Sequence, residues 1–185
     1  MLPIKNFADL DQMQKTWMEF EQNIDNKEKW QAMMESGSKN IESVHQFVVA
    51  SMPDLSYKPM SPALKEEDKT FYHYDFFYVN TGKEKEFAEV AKEWSELYEK
   101  NKIPYGWNLY RVVIGQEQPL YVVSFGSKDK LDYVTTLNKI EDVIGKEKIQ
   151  SLLAKTFSLV RKFEHKNATV RPDLSYSPPT DITAK

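Results

Sequence analysis

The chain has 185 residues, the size of one large domain or two small ones, and its 41% hydrophobic and 29% charged residues supply material for a core. Lys and Arg (25) nearly balance Asp and Glu (28), and the resulting formal charge of −3 gives no field that would gather nucleic acid or an anionic membrane surface. The absence of cysteine excludes disulfides, thiolate nucleophiles and Cys-based metal centres.

At the N-terminus, Met1-Leu2-Pro3-Ile4-Lys5 lacks the layout of a signal peptide, and no apolar run approaches the roughly 20 residues needed to cross a bilayer. We therefore expect a soluble protein with no membrane span and no nucleic-acid partner. A short strand is predicted near Leu2–Lys5, helices over 8–24 and 27–42, and a strand over Val44–Ala50 that His45 opens as a structural residue. Residues 61–70, rich in Pro and charge, read as a linker.

Beyond the linker, Tyr72-His73-Tyr74-Asp75-Phe76-Phe77-Tyr78-Val79 is composed of residues that suit a pleated surface. Phe87, Val90, Ala91, Trp94, Leu97 and Tyr98 then recur at helical spacing between Lys and Glu, predicting an amphipathic helix over 83–100. Pro104 and Gly106 stop it. Trp107–Ile114 and Leu120–Phe125 read as a strand hairpin. Ser127 is the expected N-cap of a helix over 129–144 that ends at Gly145. A second helix carries Ile149, Leu152, Leu153, Phe157 and Val160, and a last strand runs over Phe163–Val170.

The sequence also repeats. Pro53-Asp54-Leu55-Ser56-Tyr57-Lys58-Pro59 and Pro172-Asp173-Leu174-Ser175-Tyr176-Ser177-Pro178 agree at six of seven positions, 119 residues apart. At the same offset Lys27-Glu28-Lys29 falls on Lys146-Glu147-Lys148, and Met33-Met34 on Leu152-Leu153. The implied organisation is an incomplete repeat over 1–60, the linker over 61–70, a complete repeat over 71–178 and a tail over 179–185. The first copy lacks a counterpart of 71–119, so a longer protein whose earlier residues held that piece is expected.

Strand, helix, strand, strand, helix pair, strand is the ferredoxin-like βαββαβ plan. This is an α+β fold with one antiparallel sheet, helices on one face, and an aromatic opposite face that needs a cover. Phe71–Val79 followed by Gly82 and Glu86-Phe87, then Trp107–Val113 ending in Gly115, then Pro119-Leu120-Tyr121-Val122-Val123, resembles the dimeric α+β barrel superfamily, and within it the NIPSNAP-like group. The resemblance implies a dimeric or pseudo-dimeric barrel of two such sheets, hence a homo-oligomer. It implies no single activity.

His73 and Asp75 lie two apart on one strand, so they share a face, and a carboxylate beside an imidazole orients it and raises its pKa. His165, on the neighbouring strand, can approach them. The ordinary alternative is a polar pair at the sheet edge, and no His-x-x-x-His or Glu-x-x-His spacing points to a metal. Arg111 sits inside an apolar strand, where its charge needs water, a bound anion, or a partner such as Asp75 or Glu164. Trp107 shares its parity. Nucleotide-binding and hydrolase signatures are absent. We expect any site on the sheet face turned away from the helices: His73 and Arg111 as catalytic candidates, Asp75, Trp107 and His165 as ligand-binding candidates, with no metal and no cofactor. The favoured function is binding of a small ligand or a structural role. The alternative is a cofactor-independent oxygenase or isomerase acting on a small aromatic or apolar substrate, with His73 as base and Arg111 as anion holder.

Overall fold

The computed structural model describes residues 4–174, and the chain divides into two compact units after His45. In the first unit, α1 (Ala8–Asn23) and α2 (Lys27–Ser38) form a helical pair. Asn26 caps α2, its side-chain oxygen accepting the Lys29 backbone N–H at 3.0 Å. Trp17, Phe20 and Trp30 cluster with ring centroids 5.4–5.9 Å apart, yet neither helix carries a buried residue. Ile4 and Lys5 are not in a strand, contrary to expectation, and Leu2 and Pro3 lie outside the described residues.

The second unit holds β1 (Val48–Ser51), β2 (Phe71–Val79), α3 (Glu84–Lys100), β3 (Asn108–Ile114), β4 (Leu120–Ser127), α4 (Lys130–Ile144), α5 (Lys146–Ser158) and β5 (Val160–Thr169). Its sheet is antiparallel throughout, in the order β1-β3-β4-β2-β5. The last four strands follow the ferredoxin-like order, and β1 extends that sheet beyond β3.

Alternation divides the sheet into two faces. One packs on α3, α4 and α5 through Val79, Phe87, Leu109, Tyr121, Phe125, Ile140 and Ile144. The other carries Phe76, Tyr78, Val112, Leu120 and Val122, with Val49, Tyr74 and Tyr110 around them. Along this second face the lysines of β5 lie over aromatic rings, Lys162 Nζ at 4.5 Å from the Tyr78 centroid and Lys166 Nζ at 5.1 Å from that of Phe76.

The structure corrects the expectation of a barrel. The sheet is open: among the described residues β1 and β5 each pair with one neighbour. The physical reason is a shortage of strands, since the described residues before Phe71 contribute only the four-residue β1, and a second sheet is needed for closure. What stands is an α+β fold of ferredoxin-like topology with its helices on one face. Two local details also change. Asp129, not Ser127, caps α4, accepting the Asp132 N–H at 2.7 Å, while Ser127 ends β4. Val160 opens β5 instead of extending α5. Gly145 ends α4 with φ +96, a conformation that favours glycine. No helix among the described residues is long and apolar enough to cross a membrane.

Candidate functional site

Between the sheet and α3, α4 and α5 lies a cavity of about 380 Å³. Its rings are Phe77, Phe87, Trp94, Tyr98, Trp107, Phe125 and Tyr133, and its aliphatic lining includes Val90, Leu109, Val123, Ile140 and Ile149. The amphipathic pattern of α3 explains the arrangement on that side: Phe87, Val90, Ala91, Trp94 and Tyr98 follow one another at helical spacing and point at the sheet. Trp94 is held by its indole N–H, which donates to Thr156 Oγ1 at 3.0 Å. The Thr156 hydroxyl in turn donates to the Leu152 carbonyl at 2.8 Å, tying α3 to α5.

Polar groups are few. Asp75 and Glu141 supply carboxylates, and no lysine, arginine or histidine lines the cavity among the described residues. Tyr98 is only 8% exposed, and burial, with the neighbouring Tyr57, pushes its pKa up to about 12. Burial first, then the Asp75 carboxylate, raises the pKa of Tyr133. Neither phenol hydroxyl has a hydrogen-bond partner among the described residues. Both phenols are neutral near pH 7, and besides the aromatic side chains the lining offers polar atoms from Asp75, Glu141 and Thr156.

Behind this wall stands His73. Its Nε2 lies 3.0 Å from Asp75 Oδ1 and its Nδ1 2.7 Å from Asn167 Oδ1, while the ring stacks on Tyr133 with centroids 4.5 Å apart. An oxygen facing each ring nitrogen suits a ring that donates from both, the protonated form. The pKa agrees in direction: the Asp75 hydrogen bond raises it, burial opposes, and Asn167 adds a smaller rise. The side chain is 12% exposed, so this is a sheltered ion pair that fixes the Asp75 carboxylate.

The sequence candidates are thus placed unevenly. His73, Asp75, Trp107 and His165 lie on the helix-covered face, which corrects the expectation that any site would occupy the opposite one. Asp75 and Trp107 line the cavity, and Trp107 packs edge-on against Tyr98. His165 stacks on His73, centroids 5.7 Å apart, one layer back from the cavity. Arg111 is elsewhere: it is exposed at the Tyr121 and Ala50 register positions and outside the cavity lining. Its suggested partners are taken, Asp75 by His73 and Glu164 by Lys162 and the Tyr78 hydroxyl. No group of three or more His, Asp or Glu among the described residues is arranged to hold a metal ion.

Sequence reasoning passed over Tyr98, Tyr133, Trp94 and Glu141. A signal existed for the first and third, since Trp94 and Tyr98 stand four apart on the buried stripe of α3 and each carries a polar tip. Tyr133 and Glu141 join them only through the docking of α4.

No protein-family model matches the chain, and no curated protein matches it. Among solved structures it is similar to a protein of Agrobacterium tumefaciens determined as a structural-genomics target, with 15% identity over 58% of this chain and 97% of the other, at a TM-score of 0.42. It is similar to a NIPSNAP family protein of the same species, with 12% identity over 62% and 96% of the two chains and a TM-score of 0.41. A dimeric ferredoxin-like protein from an uncultured marine organism is matched with 20% identity, over 60% and 97% of the two chains, also at a TM-score of 0.41.

Proposed function

We propose that this protein binds a small, largely apolar ligand in the cavity between its sheet and α3–α5. One observation carries the reading: a space of about 380 Å³ between sheet and helices has aromatic and aliphatic walls broken by only a few polar groups, Asp75, Glu141 and the Tyr98 and Tyr133 phenols among them. A pocket of this size and lining suits a small organic molecule, which would bury most of its surface there and complete the bonding of a few fixed polar groups. Binding is favoured over oxygenase or isomerase chemistry because both nitrogens of His73 are engaged by Asp75 and Asn167, and because neither His73 nor Arg111 lines the cavity.

The test is titration with N-phenyl-1-naphthylamine, a neutral probe whose emission rises in apolar surroundings. The wild-type protein should bind it saturably, and Val123→Trp, which fills the cavity from β4, should weaken binding at least tenfold without changing the circular dichroism. No saturable binding to wild type, or equal binding to the filled variant, would overturn the proposal.

The order helix, helix, strand, Pro-Asp-Leu turn occurs over α1–Leu55 and again over α4–Leu174, which supports reading the chain as a duplicated unit.

A further inference from the structure

The ligand's charge is legible in the same cavity, and the inference rests on the binding reading above. We infer that the cavity selects an organic cation, an alkylammonium or quaternary ammonium compound with an apolar or aromatic body.

Every electrostatic feature of the lining has one sign. The two ionisable groups that face the space at neutral pH are the carboxylates of Asp75 and Glu141, and no cationic side chain lines it among the described residues. His73 offsets Asp75 from behind, so Glu141 remains the uncompensated charge: its carboxylate has no ion pair among the described residues. The ring walls act in the same direction, because an aromatic face carries the negative end of a quadrupole and attracts a cation that has shed its water. The hydroxyls of Tyr98 and Tyr133, neutral at pH 7, can accept as well as donate, so they do not oppose a cation. An anion would meet two carboxylates. A neutral hydrocarbon would fill the volume but leave the carboxylates unused. A cation with an apolar body uses carboxylate, ring face and hydroxyl oxygen together.

The discriminating experiment compares three probes of similar shape: benzyltrimethylammonium, its uncharged isostere neopentylbenzene, and phenylacetate. Each is titrated against the full chain and followed by quenching of tryptophan fluorescence, since Trp94 and Trp107 line the cavity. Benzyltrimethylammonium should bind at least tenfold more tightly than neopentylbenzene, and phenylacetate should bind weakest. Glu141→Gln should reduce the preference for the cation several-fold while leaving neopentylbenzene unchanged, and Asp75→Asn should do the same. Glu141 is at the cavity edge and does not support the sheet, so it keeps the test decisive if Asp75→Asn perturbs folding. Equal or tighter binding of neopentylbenzene overturns the cation inference and leaves the cavity reading standing, as does tighter binding of phenylacetate. Failure of all three probes overturns both.

Discussion

Two buried tyrosines in edge contact, Tyr57 and Tyr98 with ring centroids 5.4 Å apart, should respond unequally to the same substitution. The Tyr57 hydroxyl donates to the Ile103 carbonyl at 2.9 Å, and Ile103 is 2% exposed. Tyr57→Phe removes the donor and orphans a buried carbonyl, costing about 1–3 kcal/mol. The Tyr98 hydroxyl has no such partner, borders a cavity that water can enter and is not among the buried unpartnered polar atoms, so Tyr98→Phe breaks no protein bond and should change stability by no more than about 0.5 kcal/mol. Urea unfolding followed by circular dichroism resolves such a difference. The midpoint should fall for Tyr57→Phe and stay nearly unchanged for Tyr98→Phe at unchanged slope, with melting temperatures displaced by roughly 2–4 °C per kcal/mol in a chain of this size. The alkaline limb gives an independent check. A folded-state pKa raised from 10.0 to about 12 contributes stability that is complete below pH 10 and lost as pH climbs toward 12, so Tyr98→Phe should flatten that decline. If Tyr98→Phe destabilises as much as Tyr57→Phe, the hydroxyl has a partner, and the contrast between the two tyrosines fails.

Other outcomes follow from the same contacts. The raised pKa of His73 means that its ion pair contributes fully below the ordinary value of 6.5 and is lost as pH rises through the folded value. The stability gap between wild type and His73→Asn should therefore shrink from mildly acidic to mildly alkaline pH in urea titrations, and a gap that widens contradicts the imidazolium assignment. Gly115 has φ +95, and a Cβ there would meet Gln46 O at 2.5 Å and Phe47 Cα at 2.8 Å, both backbone atoms. Gly115→Ala should cost about 1–3 kcal/mol and accelerate amide exchange in β1. Gly82→Ala, at φ +85 with nothing within 4 Å, should cost less, and equal costs would refute the steric argument. Trp94→Phe forfeits the bond to Thr156 and should lose about 0.5–1.5 kcal/mol by thermal melting.

The order of strands and helices after Phe71 was legible because local pattern decides it: pleat-forming residues in β2, a buried stripe every three or four residues in α3, and punctuation at Gly115 and Gly145. The placement of the site was harder for a physical reason. In β2 the two alternating sets are Phe71, His73, Asp75, Phe77, Val79 and Tyr72, Tyr74, Phe76, Tyr78, and both are rich in aromatics. Polarity pointed to His73 and Asp75 facing away from the helices, since unpaired charge is costly in a core. The structure resolves the conflict by pairing: Asp75 neutralises His73, Asn167 takes the second ring nitrogen, and Tyr133 covers the ring, so the pair can sit beneath α4. Asn167 and Tyr133 lie more than fifty residues away in the chain, and alternation carries no information about them.

Arg111 shows the converse. A charge in an apolar strand looked functional because the strand was assumed to be covered along its whole length, yet its end carries Arg111, Val113 and Ile114 exposed. Its exposure removes the need for a partner, and with it the argument for a role. Placement decides which residues border the cavity: Trp94 and Tyr98 reach it through the buried stripe of α3, while Arg111, more conspicuous in the sequence, stands outside its lining.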